Sequence, residues 1–136
     1  KKAWPASEVI EQIKLTRKLG ATGNVHFSMK AIQKDSGGIA TALKPVYAEP
    51  ALVPAIVWDK SPPPATPEVK RVGRTYILEP GDKTPLRWYV TRYRNDGGWH
   101  VQLRAENTFT FLTPPPEVEF YVIDRFGQMS AAARVK

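Results

Sequence analysis

The chain has 136 residues, 42% of them hydrophobic, with twenty Lys and Arg against thirteen Asp and Glu and a formal net charge of +7. Folding a chain of this length buries about two-thirds of its unfolded surface, enough for one modest core or two very small ones. The absence of cysteine excludes disulfide scaffolds, Cys-ligated zinc and cysteine nucleophiles, and no apolar run approaches the roughly 20 residues of a membrane-spanning helix. Thirteen prolines favour turns, linkers and β-structure over a helical bundle. The charge is diffuse: residues 1–60 carry nine basic and five acidic groups, and residues 61–136 carry eleven and eight. Arg87, Arg92 and Arg94 interleave with Trp88, Tyr89 and Tyr93, a pattern able to stack bases. Alternation on a strand sends one of those sets to a core and the other to water, and no nucleic-acid partner is expected. The opening Lys1-Lys2-Ala3-Trp4-Pro5 holds no initiator Met and no signal peptide. The sequence is therefore expected to be an internal or C-terminal piece of a longer one.

The first helix is predicted over residues 7–19. Ser7 is placed to cap it, Glu8 and Glu11 suit the positive end of its dipole, and Lys14, Arg17 and Lys18 suit the other end. Val9, Ile10 and Ile13 share a face, and Gly20 fits a left-handed stop. Asn24-Val25-His26-Phe27-Ser28 alternates as a strand does, and a short helix over residues 38–44 is expected to stop at Pro45. Residues 51–58 are apolar but broken by Pro54, the pattern of a packed, extended tail. The order helix–strand–helix is a slice of a βα-repeat fold, which needs parallel neighbour strands.

Composition changes at Ser61-Pro62-Pro63-Pro64-Ala65-Thr66-Pro67, a semi-rigid polyproline spacer. Beyond it strands are predicted over residues 69–73, 74–79, 86–94, 99–104, 108–112, 117–124 and 129–135. Asn95-Asp96-Gly97-Gly98 forms a hairpin turn and Thr113-Pro114-Pro115-Pro116 a rigid corner. Seven short strands in this span predict an antiparallel β-sandwich. The division expected is residues 1–60, a linker at 61–67, and a sandwich at 68–136.

The Trp88-Tyr89-Val90 centre and the late Phe120-Tyr121-Val122-Ile123-Asp124-Arg125-Phe126-Gly127 resemble a fibronectin type III-like module over residues 66–136. The first part is more specific. Residues 9–17, Gly23-Asn24-Val25-His26-Phe27-Ser28-Met29-Lys30 and Tyr47-Ala48-Glu49-Pro50-Ala51-Leu52-Val53-Pro54-Ala55 with Trp58 resemble the end of family 10 glycosyl-hydrolase-like proteins. These are bacterial, exported, often lipoproteins, with a TIM-type barrel that in several members continues through a proline-rich linker into a fibronectin-like sandwich. The resemblance implies a mostly β fold: a sandwich preceded by an α/β barrel remnant, helix–strand–helix, whose 51–58 tail packs on the barrel exterior. It implies a secreted, periplasmic or outer-membrane location and a polysaccharide substrate reached through the parent enzyme.

Glycoside hydrolysis ordinarily needs two facing carboxyl groups, and the 24–28 segment carries none, so no catalytic residue is assigned within this chain. Asp35 and Asp59 are expected to cap and to be solvated. No cofactor or metal is expected, since phosphate-loop, nucleophile-elbow and zinc-helix motifs are absent and His26 and His100 are far apart in sequence. Active sites of barrels lie at the C-terminal ends of strands, which makes His26, Ser28 and Lys30 the substrate-binding candidates. For His26 a satisfied interior histidine is the rival reading. On the sandwich, Trp88, Trp99, Tyr89 and Tyr93 form either a core or a platform for sugar rings, with Trp99 the most exposed candidate. The alternative function is a non-catalytic carbohydrate- or protein-binding sandwich. A barrel strand without neighbours also leaves unpaired edges beside Val25 and Phe27, from which self-association through residues 1–58 is expected.

Overall fold

In a computed structural model, which describes residues 4–56 and 58–135, Pro5 sets the start of the first helix. Lys1, Lys2 and Ala3, Val57 within the expected 51–58 tail, and Lys136 lie outside the described residues. Two compact units form, Lys1–Ala48 and Glu49–Lys136. The boundary precedes the proline segment, and residues 49–67 belong with the strands.

In the first unit, α1 spans Ala6–Lys18. Pro5, fixed in an extended conformation, occupies the cap position, so Ser7 lies inside the first turn and makes no capping bond. Glu8 N–H donates to Pro5 O at 3.1 Å instead. Ile13 is the buried residue of α1, and the chain leaves through Gly20 as expected. The strand predicted at 24–28 does not form; the segment is extended, but no described strand flanks it. A strand exists only through its ladder partners, and no described segment supplies them here. An unpredicted helix, α2, follows at Met29–Gln33, and α3 spans Ile39–Val46 with Pro45 in its last turn. That turn still closes, Tyr47 N–H donating to Leu43 O at 3.1 Å. Asp35 accepts from the Ala40 and Thr41 amides at 2.7 and 3.1 Å and from the Thr41 hydroxyl at 2.7 Å. It anchors the start of α3, the capping role expected of it.

The second unit is mostly antiparallel β. Its strands are β1 (Glu68–Val72), β2 (Thr75–Glu79), β3 (Leu86–Asn95), β4 (Gly98–Arg104), β5 (Thr108–Thr110), β6 (Glu117–Asp124) and β7 (Ala133–Arg134). They form two sheets, ordered β1-β2-β5 and β4-β3-β6-β7. The β3–β4 hairpin closes through Asp96 and Gly97, both at positive φ (45° and 80°), the geometry a two-residue hairpin demands. Tyr76 and Leu78 of β2, Phe109 of β5, and Phe120 of β6 fill one core between the sheets, with Phe111, Ala133, Tyr89 and Tyr93 around them. Tyr76 and Phe120 rings lie 5.0 Å apart, and Phe109 and Phe120 rings 6.0 Å. Burying large side chains of this kind is worth about 1.5–3 kcal/mol each, and this cluster is the main support of the fold. The last strand is shorter than expected. Met129 bridges to Ile123, but full pairing resumes only at Ala133.

The resemblance put the 51–58 tail on a barrel exterior; in this chain residues 51–56 lie along the outer face of the four-stranded sheet. Ile56 N–H donates to Phe126 O at 2.9 Å, and residues 51–56 face Trp88, Leu103 and Ile123 across an apolar groove of about 380 Å³. The proline segment is packed as well: Pro64 and Pro67 are buried, and Ala65 N–H donates to Asp82 Oδ2 at 2.7 Å. Apolar surface on both faces of one sheet explains this placement, since β3 and β6 carry Val90 and Ile123 on the side away from the shared core.

Candidate functional site

Asn24 and His26 alternate with Val25 and Phe27, and the polar pair turns towards the helices of its own unit. Thr16 Oγ1 lies 2.8 Å from Asn24 Oδ1, and His26 Nε2 lies 2.8 Å from the Tyr47 hydroxyl, the two rings meeting edge-on at 5.8 Å. Arg17 backs this pair. Its guanidinium sits 5.3 Å from the Tyr47 ring centroid and donates to Val46 O. The apolar pair points outward, Val25 and Phe27 being 97% and 101% exposed. His26 and Ser28 line one concavity of about 430 Å³ with Trp4, Phe27, Ile32 and Ile39. Ser28 occupies the cap position of α2 without a side-chain capping bond, and Lys30 is an exposed residue of that helix outside the concavity lining. No carboxylate lines this concavity among the described residues, so it holds no acid pair of the kind glycoside hydrolysis uses.

Trp99 belongs to a different setting. On β3, Tyr89, Thr91 and Tyr93 face the shared core, while Trp88, Val90 and Arg92 face away. Trp99 of β4, opposite Arg94, joins the outward set. The four aromatics therefore do not make one platform: two tyrosines are core, and two tryptophans lie on the opposite face. Trp88 borders the apolar groove under residues 51–56. Trp99, 39% exposed, carries the Arg92 guanidinium 4.1 Å from its ring centroid.

A polar groove of about 410 Å³ runs from Trp99 past Pro115 to Arg71, Glu117, Glu119 and Arg134. Register builds it. Arg92 of β3 stands opposite Glu119 of β6, and Glu119 stands opposite Arg134 of β7. Glu119 is only 8% exposed, and both its oxygens are occupied. Arg134 Nε and Nη2 donate to Oε1 at 3.0 and 2.7 Å, the Tyr121 hydroxyl donates to Oε2 at 2.7 Å, and Arg92 Nη1 lies 3.6 Å away. The Tyr121 hydrogen bond, then that of Arg134, holds the Glu119 carboxyl below its ordinary range. Burial, then the Glu119 carboxylate, pushes the Tyr121 phenol up. A general acid needs its carboxyl pKa raised, so this arrangement does the opposite: it keeps Glu119 ionised and holds the Arg134 guanidinium by two hydrogen bonds.

A third polar contact holds the start of the covering segment. Glu49 Oε1 lies 3.0 Å from His100 Nδ1, and Oε2 accepts the Val101 amide at 3.1 Å on the edge strand β4. The hydrogen bond from Glu49 raises the His100 pKa, and the same bond lowers that of Glu49. Asp59 accepts from Ser61 and from Gln128 Nε2 at 3.0 Å, a structural role. Among the described residues no three His, Asp or Glu side chains gather as a metal site would require, and no helix is long and apolar enough to cross a membrane.

Sequence reasoning picked out Trp99 but missed Arg71, Glu119 and Arg134. The Glu117-Val118-Glu119 alternation signalled a polar strand face; which cations would stand opposite depended on register.

The chain is 37% identical over 148 aligned residues to the protein named Glycosyl hydrolase YngK of Bacillus subtilis (strain 168), an alignment covering 93% of this chain. It spans 29% of the length of that relative. The chain is thus related to a protein named as a glycosyl hydrolase. No family model matches the chain, and no solved structure matches it significantly.

Proposed function

We propose that this chain is part of a bacterial glycoside hydrolase acting on cell-wall or other polysaccharide. In this reading residues 1–60 come from the end of a TIM-type barrel of the family 10 glycosyl-hydrolase-like kind, and residues 68–136 are an accessory fibronectin type III-like sandwich. The observation carrying the proposal is the 37% identity to YngK across 93% of the chain. The strand orders β1-β2-β5 and β4-β3-β6-β7 support the fibronectin-like part. The exposure of Val25 and Phe27 on the side away from the helices supports the barrel part, because a barrel strand needs neighbours on both edges and cover on both faces. The acid pair is supplied from outside these residues, since the carboxylates here are capping, paired with cations or solvated. The parent enzyme is secreted, periplasmic or anchored as a lipoprotein.

The test compares this chain with the longer protein on a panel of bacterial cell-wall and plant polysaccharides. The longer protein hydrolyses at least one of them, and the 136-residue chain gives no turnover. Hydrolysis by this chain that survives substitution of Asp35, Glu49 and Asp59 overturns the assignment of its role.

A further inference from the structure

We infer that the groove between Trp99 and Arg134 binds a saccharide carrying a carboxylate, such as a uronic acid unit. The argument starts from the buried Glu119. It spends both oxygens on Arg134, Tyr121 and Arg92, so Arg134 is held by two N–H donors with its guanidinium plane fixed. Arg71, on the far wall, is fixed too: its Nε donates to Gly73 O at 3.0 Å, and its guanidinium stacks 5.5 Å from the Tyr76 ring centroid. Guanidinium groups held in advance lose little further entropy when they meet a carboxylate, and their fork matches it bidentately.

Charge selects the sign of the ligand. Arg71 and Arg134 line the groove with Glu117 and Glu119, while Arg92 and Arg94 stand opposite those glutamates on β3, and each glutamate is already paired, Glu117 with Arg94 at 3.1 Å and Glu119 with Arg134 at 2.7 Å. The surplus is cationic. Shape selects its class. Trp99 supplies a partly exposed aromatic ring stiffened by Arg92, and Pro115 adds a rigid apolar wall. An occupant with an apolar flank and one carboxylate satisfies the aromatic ring and the guanidinium groups together. A volume of about 410 Å³ lies within the range of small-ligand sites. The site stands on this geometry; the choice of sugar over other carboxylates rests on the polysaccharide reading above.

Titration calorimetry of the 136-residue chain with a galacturonic acid trisaccharide, its methyl ester and a neutral galactose trisaccharide tests the inference. The acid form binds, and the ester and neutral forms bind at least tenfold more weakly. Trp99→Ala and Arg134→Gln each lower affinity at least tenfold, whereas Lys83→Gln, which removes the same charge from a distant turn, does not. Should either groove variant fail to fold, the indole N–H resonance of Trp99 in the unaltered chain still decides, since it shifts on titration with the acid trisaccharide. Absence of binding, equal loss in Lys83→Gln, an unmoved Trp99 resonance, or equal affinity for a polyphosphate of the same charge overturns the inference. The hydrolysis assay is independent of all these outcomes, so the binding site and the enzymatic assignment fail separately.

Discussion

Replacing Gly127 by Ala should strike the seat of the 51–56 segment. Gly127 lies in the turn after β6 at φ +79°, and a Cβ there would come within 3.0 Å of Pro54 O, 3.1 Å of Ala55 Cα and 3.2 Å of Val53 O. All three are backbone atoms of the covering segment. The turn has little freedom to yield, because Asp124 accepts the Phe126 and Gln128 amides at 2.8 Å each. Gly97 offers the matched control: its φ is +80°, and nothing lies within 4 Å of its would-be Cβ. Both substitutions force an L-residue into the left-handed region, at a cost of about 1–2 kcal/mol. Only Gly127→Ala adds overpacking, worth about 1–3 kcal/mol more. At about 4–8 °C per kcal/mol for a small domain, Gly127→Ala should melt at least about 4 °C below Gly97→Ala. Thermal unfolding followed by circular dichroism measures the difference. Hydrogen exchange at Ile56, whose amide bonds Phe126 O, shows whether the segment lifts to escape the clash. Equal melting temperatures with Ile56 protection unchanged would refute the packing of this segment on the 125–128 turn.

The Glu49–His100 contact predicts a pH window. The raised His100 pKa gives stability that is whole below its ordinary 6.5 and is lost as pH rises through the raised folded value. The lowered Glu49 pKa gives stability present above 4.5 and lost as pH falls through its depressed value, so the contact works fully between those ordinary values. An NMR titration of His100 should show its pKa falling towards 6.5 in Glu49→Gln; an unchanged value would mean the contact is absent in solution. Self-association through residues 1–58 is proposed from the exposed Val25 and Phe27. Sedimentation of the chain at micromolar concentration should show a species heavier than the monomer, and a Val25→Ser/Phe27→Ser double variant should be monomeric. A monomeric unaltered chain ends that proposal.

Local chemistry was legible in the residues themselves. Asn95-Asp96-Gly97-Gly98 encodes a hairpin, because only certain residues accept positive φ at successive positions. The period of two along residues 86–94 put Tyr89 and Tyr93 on one face and Trp88 and Arg92 on the other, and the helix over residues 6–18 was visible in its charges and apolar face. Each of these signals is carried by neighbours a few positions apart. The tertiary structure decided what depends on distant partners. Residues 24–28 alternate like a strand but have no flanking strand among the described residues, so their polar side turned to Thr16 and Tyr47. Trp99 joined the face of Trp88 and Arg92 only because β4 pairs with β3 in one particular register. Glu119 found Arg134 across β6 and β7, and the 51–56 segment settled on a sheet whose second apolar face required cover. Backbone preference and periodicity are written locally, whereas register, pairing and cover are set by which long-range contacts bury the most apolar surface while satisfying every buried charge.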